Sequence, residues 1–254
     1  MAVLAILTAK AGWFRRDDEL AAHERAIRSL GWSPVILPVR AAATADELVG
    51  FVTLARPSVV WIRREVALPD GLALPVPVVR ARPQGLDAAI LDAEVRPGPR
   101  EVCGDITVIT ASPSPRLRDA VARLREAGTT VVAYGTAWGG SGWFEPEGRA
   151  ALTALASAPV HVAELGRDGA LPHSVLCAAA VGAVPLLIGP EAHTRTPGDF
   201  PSVRVADAVV RTVAELLADP TRRRELAGAA RAWVASQRLE PQWRTILEPY
   251  DAPR

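Results

Sequence analysis

Ile106-Thr107-Val108-Ile109-Thr110 is a short apolar strand that runs through Ser112-Pro113-Ser114 into the amphipathic stretch Pro115–Ala127, closed by Gly128. These residues decide the fold because they begin a pattern for the second time. Leu117, Val121 and Leu124 recur at helical spacing. A glycine just past such a stretch readily adopts the left-handed conformation that ends helices. The alternation then continues. Thr130–Tyr134 reads as a strand, Gly135–Gly142 as a glycine-rich loop, Pro146–Ala156 as a helix and Val160–Ala163 as a strand. Pro172–Val181 follows as an apolar helix, Val184–Ile188 as a strand and Val203–Val205 as a short one. Two helices, Ala208–Ala218 and Thr221–Gln237, come next, and Gln242–Tyr250 reads as a last short helix.

The first pass of the pattern lies upstream. Ala2–Thr8 is an apolar strand, Ala9–Arg16 a loop and Asp17–Leu30 a helix with carboxylates in its first turn and Gly31 beyond its end. Val35–Val39, Val59–Ile62 and Val76–Val79 read as further strands, and Asp46–Ala55 as a helix with Thr44 as its cap. Residues 81–104, rich in proline and glycine, interrupt the rhythm with one short element at Leu86–Leu91. Apolar strands that alternate with helices indicate parallel sheets buried on both faces. The expected fold class is therefore α/β: two small Rossmann-like, doubly wound parallel-sheet domains facing a cleft. The expected boundaries are 1–82 for the N-terminal domain, 83–104 for a linker and 105–238 for the C-terminal domain. Residues 239–254 are expected to return to the N-terminal domain. Ligands of such sheets bind outside the carboxyl ends of the strands.

Composition narrows the function. The 254 residues are 49% hydrophobic and 22% charged, with a net charge of +1. That excludes a disordered chain and gives no global electrostatic case for nucleic acid. No apolar run reaches the roughly 18 residues of a membrane helix. The apolar start lacks a basic segment before it, so it reads as a strand and not as a signal peptide. A cytoplasmic protein with no membrane span is expected. Two cysteines and four scattered histidines (His23, His161, His173, His193) make neither a disulfide framework nor a metal-ligand pattern. Among 29 basic residues, Lys10 is the single lysine.

The stretch Ser174–Pro190, Ser-Val-Leu-Cys-Ala-Ala-Ala-Val-Gly-Ala-Val-Pro-Leu-Leu-Ile-Gly-Pro, carries a family resemblance. It resembles the donor-domain helix and strand of GT-B glycosyltransferases, and especially the fucosyltransferase and exostosin-like branches. Val209–Leu217, followed by Asp219-Pro220-Thr221-Arg222-Arg223-Arg224-Glu225-Leu226, is similar to the C-terminal helices of that fold, including spore-maturation glycosyltransferase-like proteins. The resemblance covers roughly residues 105–250. It implies a metal-independent transferase without a cofactor, with a nucleotide-sugar as co-substrate and a small molecule, glycan or protein as acceptor. Two departures stand beside it. Paired carboxylates of the large retaining group correspond here to Gly169 and Cys177, and the Glu-Lys pair of the fucosyltransferase-like register to Pro172-His173. Two alternatives follow: a catalytically degenerate glycosyltransferase-like partner or regulatory protein, and a sugar-nucleotide epimerase-like enzyme.

Such a transferase needs cations or helix N-terminal amides for the leaving diphosphate, a base for the acceptor hydroxyl and polar partners for the sugar. Arg116, at a helix start after a strand, is a candidate phosphate ligand. Ser112 or Ser114 is more simply a cap. Gly135, Thr136, Gly139 and Gly140 permit close approach of backbone to a ligand, with Trp138 available to stack on a base. Glu164, Arg167, Asp168 and His173 share one strand-to-helix loop, where Glu164 suits a ribose or sugar hydroxyl and Arg167 and His173 suit phosphate. Lys10 and Gly12 are further donor-phosphate candidates. Trp13, Phe14, Arg15 and Arg16 are assigned to the acceptor side. Asp17 and Asp18 are candidate bases, with His23 a third. Arg63-Arg64-Glu65 and Arg222-Arg223-Arg224 read as solvated charge clusters, and Cys177 as core.

Overall fold

A computed structural model of the chain describes residues 2–9, 18–40, 43–63, 66–69, 71–81, 83–93, 104–110, 113–135, 138, 149–165, 171–189, 202–203 and 206–251. It divides into two compact units, Met1–Ala88 with Arg238–Arg254, and Ala89–Gln237.

The first unit holds a parallel sheet of four strands in the order β2-β1-β3-β4. They are β1 (Val3–Ala9), β2 (Ser33–Val39), β3 (Val59–Ile62) and the two-residue β4 (Val78–Val79). Helix α1 (Asp18–Ser29) links β1 to β2, and α2 (Ala45–Ala55) links β2 to β3. Thr44 caps α2 in a full capping box: its hydroxyl accepts from the Glu47 amide, and the Glu47 carboxylate accepts from the Thr44 amide. One sheet face, with Ala5, Leu7, Val60 and Ile62, packs on Leu48 and Val52 of α2. On β2, Ser33 donates its amide to the carbonyl of Ala2, at the start of the central strand. By alternation the even residues direct their backbone outward, and two of those three are Pro34 and Pro38. Proline has no N–H, so this edge offers little to a foreign strand.

The short helix α3 (Ala88–Leu91) follows Leu86 and Asp87, both buried. Asp87 receives a forked ion pair from Arg25 of α1, with Nη2 to Oδ1 at 3.2 Å.

The second unit holds five parallel strands in the order β6-β5-β7-β8-β9. They are β5 (Ile106–Ile109), β6 (Val131–Tyr134), β7 (Val160–Glu164), β8 (Val184–Ile188) and β9 (Ser202–Val203). Helices α4 (Pro115–Glu126), α5 (Arg149–Ser157) and α6 (His173–Val181) lie between them, and α7 (Ala206–Ala218) and α8 (Pro220–Ser236) follow. Side chains alternate across a strand, so the even residues Ile106, Val108, Val160, Val162, Val184, Leu186 and Ile188 form one face. That face packs on Leu117, Val121 and Leu124 of α4 and on Val209, Val213 and Leu216 of α7. The odd residues face the other way, and α6, buried along most of its length, packs against β7 and β8. Gly104 precedes β5 at φ +58°, and a Cβ there would meet the Thr130 carbonyl oxygen at 2.6 Å, so only glycine fits without movement.

Arg223 departs from the expected solvated face. Its Nη1 donates to the carbonyl oxygens of Leu216, at 2.7 Å, and Leu217. It thereby satisfies orphan acceptors at the end of α7. Arg222 and Arg224 follow the expectation: both are exposed, and among the described residues Arg224 bonds within its own helix.

After α8, helix α9 (Leu239–Leu247) and a 3-10 turn (Glu248–Tyr250) belong to the first unit. Trp243 of α9 is fully buried and packs edge-on against Trp61 of β3 and His23 of α1. No helix among the described residues is long and apolar enough to cross a membrane.

Candidate functional site

The strand orders locate the places to look. In each unit the first strand's neighbours lie on opposite sides, so a topological switch point falls between β1 and β3 and between β5 and β7. The two points differ. Strands β1 and β3 pair along all four residues of β3, from Leu4↔Val59 to Leu7↔Ile62. Strands β5 and β7 pair only at Ile106↔Val160 and Thr107↔His161. Beyond that rung β5 continues with β6 to Ile109↔Tyr134, and β7 continues with β8 to Glu164↔Ile188. The second sheet is therefore forked toward its carboxyl end.

Arg116 and Glu164 stand across that fork. Arg116 is the second residue of α4, whose N-cap Ser114 accepts from the Leu117 amide and whose first turn carries no acid. Glu164 ends β7. Arg116 Nη1 and Glu164 Oε1 are 3.5 Å apart, with side chains 42% and 25% exposed, so both ends are open to solvent and to a ligand. Gly189 follows β8 at φ +148°, and a Cβ there would lie 4.0 Å from Arg116 Nη1. That is ordinary contact distance, so the positive φ, not lack of room, is what favours glycine beside the guanidinium.

The first unit has the opposite arrangement. There the acid, Glu19, lies on the helix, and Arg63, which follows β3, approaches it at 3.7 Å. Glu19, the second residue of α1, already stands at the positive end of that helix's dipole. Among the described residues, the second switch point is the one with a cation, Arg116, in an acid-free first helical turn.

His173 is the first residue of α6, half-buried, and the N-cap Pro172 makes no side-chain cap bond. Gly135 follows β6, and Trp138 packs against the core that includes α4, its Nε1 buried with no hydrogen-bond partner among the described residues. Trp138 thus adds to the core. His23 is in the interior of the first unit: its Nδ1 accepts from Trp243 Nε1 at 3.0 Å, and its ring lies 4.9 Å from that of Trp61. Asp18 begins α1. Cys177 is buried, as expected from its alanine-rich surroundings in the sequence. Lys10, Gly12, Trp13, Phe14, Arg15, Arg16, Asp17, Thr136, Gly139, Gly140, Arg167 and Asp168 lie outside the described residues.

One cluster has no counterpart among the sequence candidates. His161, fully buried on β7, has Nδ1 3.2 Å from Thr107 Oγ1 and Nε2 3.1 Å from Ser174 Oγ in the first turn of α6. Burial pushes its pKa down to about 4, opposed by a smaller upward effect of the Thr107 backbone. The imidazole is therefore neutral near pH 7.

No protein-family profile and no curated protein matches the sequence. Solved structures do match along nearly the whole chain. AviGT4, a glycosyltransferase involved in avilamycin A biosynthesis, is similar at 17% identity and a TM-score of 0.57, over 98% of this chain and 97% of that one. Anabaena HepE, solved in complex with UDP-glucose, is similar at 8% identity and a TM-score of 0.64, over 98% and 100%. T4 phage BGT, also solved with UDP-glucose, is similar at 10% identity and 0.60, over 99% and 100%. At these identities the likeness is one of fold: two parallel α/β units in succession, the GT-B glycosyltransferase fold.

Proposed function

We propose that the chain transfers a sugar from a nucleotide-activated donor to an acceptor hydroxyl, with no bound metal. The observation that carries this reading is the Arg116–Glu164 pair across the fork between β5 and β7. A leaving nucleoside diphosphate gains negative charge as the glycosidic bond breaks. Arg116, the N-terminal amides of α4 and those of α6 beside His173 would meet that charge. Glu164 would accept from a ribose or sugar hydroxyl. Asp17 and Asp18 are proposed as the acceptor's base on their sequence position at the start of α1.

The test is calorimetric titration of the purified chain with UDP, GDP and UDP-glucose, followed by product analysis. Arg116→Ala should weaken diphosphate binding roughly 10- to 100-fold, the loss of a hydrogen bond to a charged group. The exposed pair contributes little to stability, so the variant's melting temperature should stay near that of the parent. A chelator should leave transfer unchanged. No binding to any common nucleoside diphosphate or nucleotide-sugar sinks the proposal.

A second reading is a glycosyltransferase-like partner protein without turnover. It draws on two exposed apolar side chains one turn apart on α2, Phe51 at 45% and Leu54 at 82%. Turnover of a nucleotide-sugar by the purified chain alone removes it.

A further inference from the structure

The polar cluster around His161 sits where the second sheet divides. Thr107 and His161 are the last paired rung between β5 and β7. They belong to the odd face, away from the apolar core shared with α4 and α7. A neutral imidazole in this position makes two connections. Nδ1 engages Thr107 on the neighbouring strand, and Nε2 engages the Ser174 hydroxyl on α6. Ser174 is the second residue of a helix whose N-cap, Pro172, brings no side-chain acceptor. Burial on all sides holds the body of α6, through Val175, Leu176, Ala178 and Ala179, but apolar contacts slide more easily than a hydrogen bond does. The strand imidazole ties that first turn to β7 through the Ser174 hydroxyl.

We infer that His161 is a positioning residue for the donor site, fixing through Ser174 the first turn of α6 relative to the fork that carries Arg116 and Glu164. The inference rests on the donor reading above and deepens it. His161 touches no ligand. Its role is to keep the His173 side chain and the first-turn amides of α6 in one register with β7. A displacement of about 1 Å in such a site costs far more binding or rate than the same displacement costs stability.

The experiment uses the full chain with Ser174→Ala, His161→Gln and His161→Phe, titrated calorimetrically with UDP and GDP and with uridine and guanosine. Ser174→Ala should lower diphosphate affinity at least fivefold and leave nucleoside affinity within twofold, because only the phosphate end meets α6. His161→Gln, which keeps a donor and an acceptor, should retain more diphosphate affinity than His161→Phe. If His161→Phe fails to fold, Ser174→Ala carries the test, since it leaves the strand untouched. Wild-type diphosphate affinity in Ser174→Ala overturns the inference, as does an equal loss for diphosphate and nucleoside. If that happens while Arg116→Ala still weakens binding, the donor reading stands without it. A wild-type chain that binds no nucleoside diphosphate overturns both.

Discussion

His161 shows what a single side chain can hide. It interrupts the apolar strand Val160–Glu164, and although Glu164 at the strand end draws notice, His161 itself reads as one more inward position of that strand. Its partners are 54 residues upstream and 13 downstream, and only the parallel register of β5 and β7 and the return of α6 bring them together. Arg116 and Glu164 are legible in the sequence because each ends or follows a strand, the place where parallel sheets hold ligands. Their pairing is not legible there, because it depends on which strands are neighbours. The buried imidazole also makes the fold sensitive to acid. In the unfolded chain a histidine titrates near its ordinary 6.5, and here it titrates at about 4. The native state therefore binds fewer protons between these values, and its stability is fully present above pH 6.5 and lost as pH falls toward 4. A separation that wide between folded and unfolded chain corresponds to a contribution of about 3 kcal/mol. Urea unfolding of the parent and of His161→Gln at several pH values measures it, and the variant should show a shallower slope over this window. Parallel slopes would count against the buried neutral imidazole.

At the scale of elements the sequence is most readable where local chemistry and packing agree. Strands β3 and β8 begin and end at the expected residues, since each is a continuous apolar run bounded by loop residues. The Thr44 cap, the Ser114 cap and Gly128 at φ +81° follow from side-chain chemistry alone. Shorter elements shrink: prolines at 75 and 77 confine β4 to Val78–Val79. Arg223 escapes a sequence reading because a run of three arginines looks solvated, and only the tight turn at Asp219 swings the middle one back onto α7. Arg223→Ala should lower stability by about 1–2 kcal/mol, the loss of charge-assisted bonds to two otherwise unpaired carbonyls. Arg222→Ala should change it by less than about 0.5 kcal/mol. Denaturant midpoints of the two variants decide this, and equal values would return Arg223 to the surface cluster.

At the scale of the molecule, the first unit is discontinuous in sequence: α9 returns to it and supplies Trp243 to its core. The restart of the strand-helix rhythm at residue 106 marks two units, but the depth of this return is a tertiary matter. The sequence reads a last short helix at Gln242–Tyr250, three residues late against Leu239–Leu247, and the sequence of a helix does not say what it packs against. Trp243→Ala removes a fully buried indole and its bond to His23, and should cost the first unit about 3–5 kcal/mol. Differential scanning calorimetry should then show this unit melting ahead of the second, and an unchanged profile would contradict the packing described. The same discontinuity has a consequence in time. A ribosome adds about 5–20 residues per second. Residues 1–88 must therefore wait while all of Ala89–Gln237 is made, a delay of roughly seven to thirty seconds at that pace. Through that interval Trp61 and His23 lack the indole that covers them. The second unit has all its parts and can fold first, so the half of the protein that is synthesised earlier is the half that is completed later.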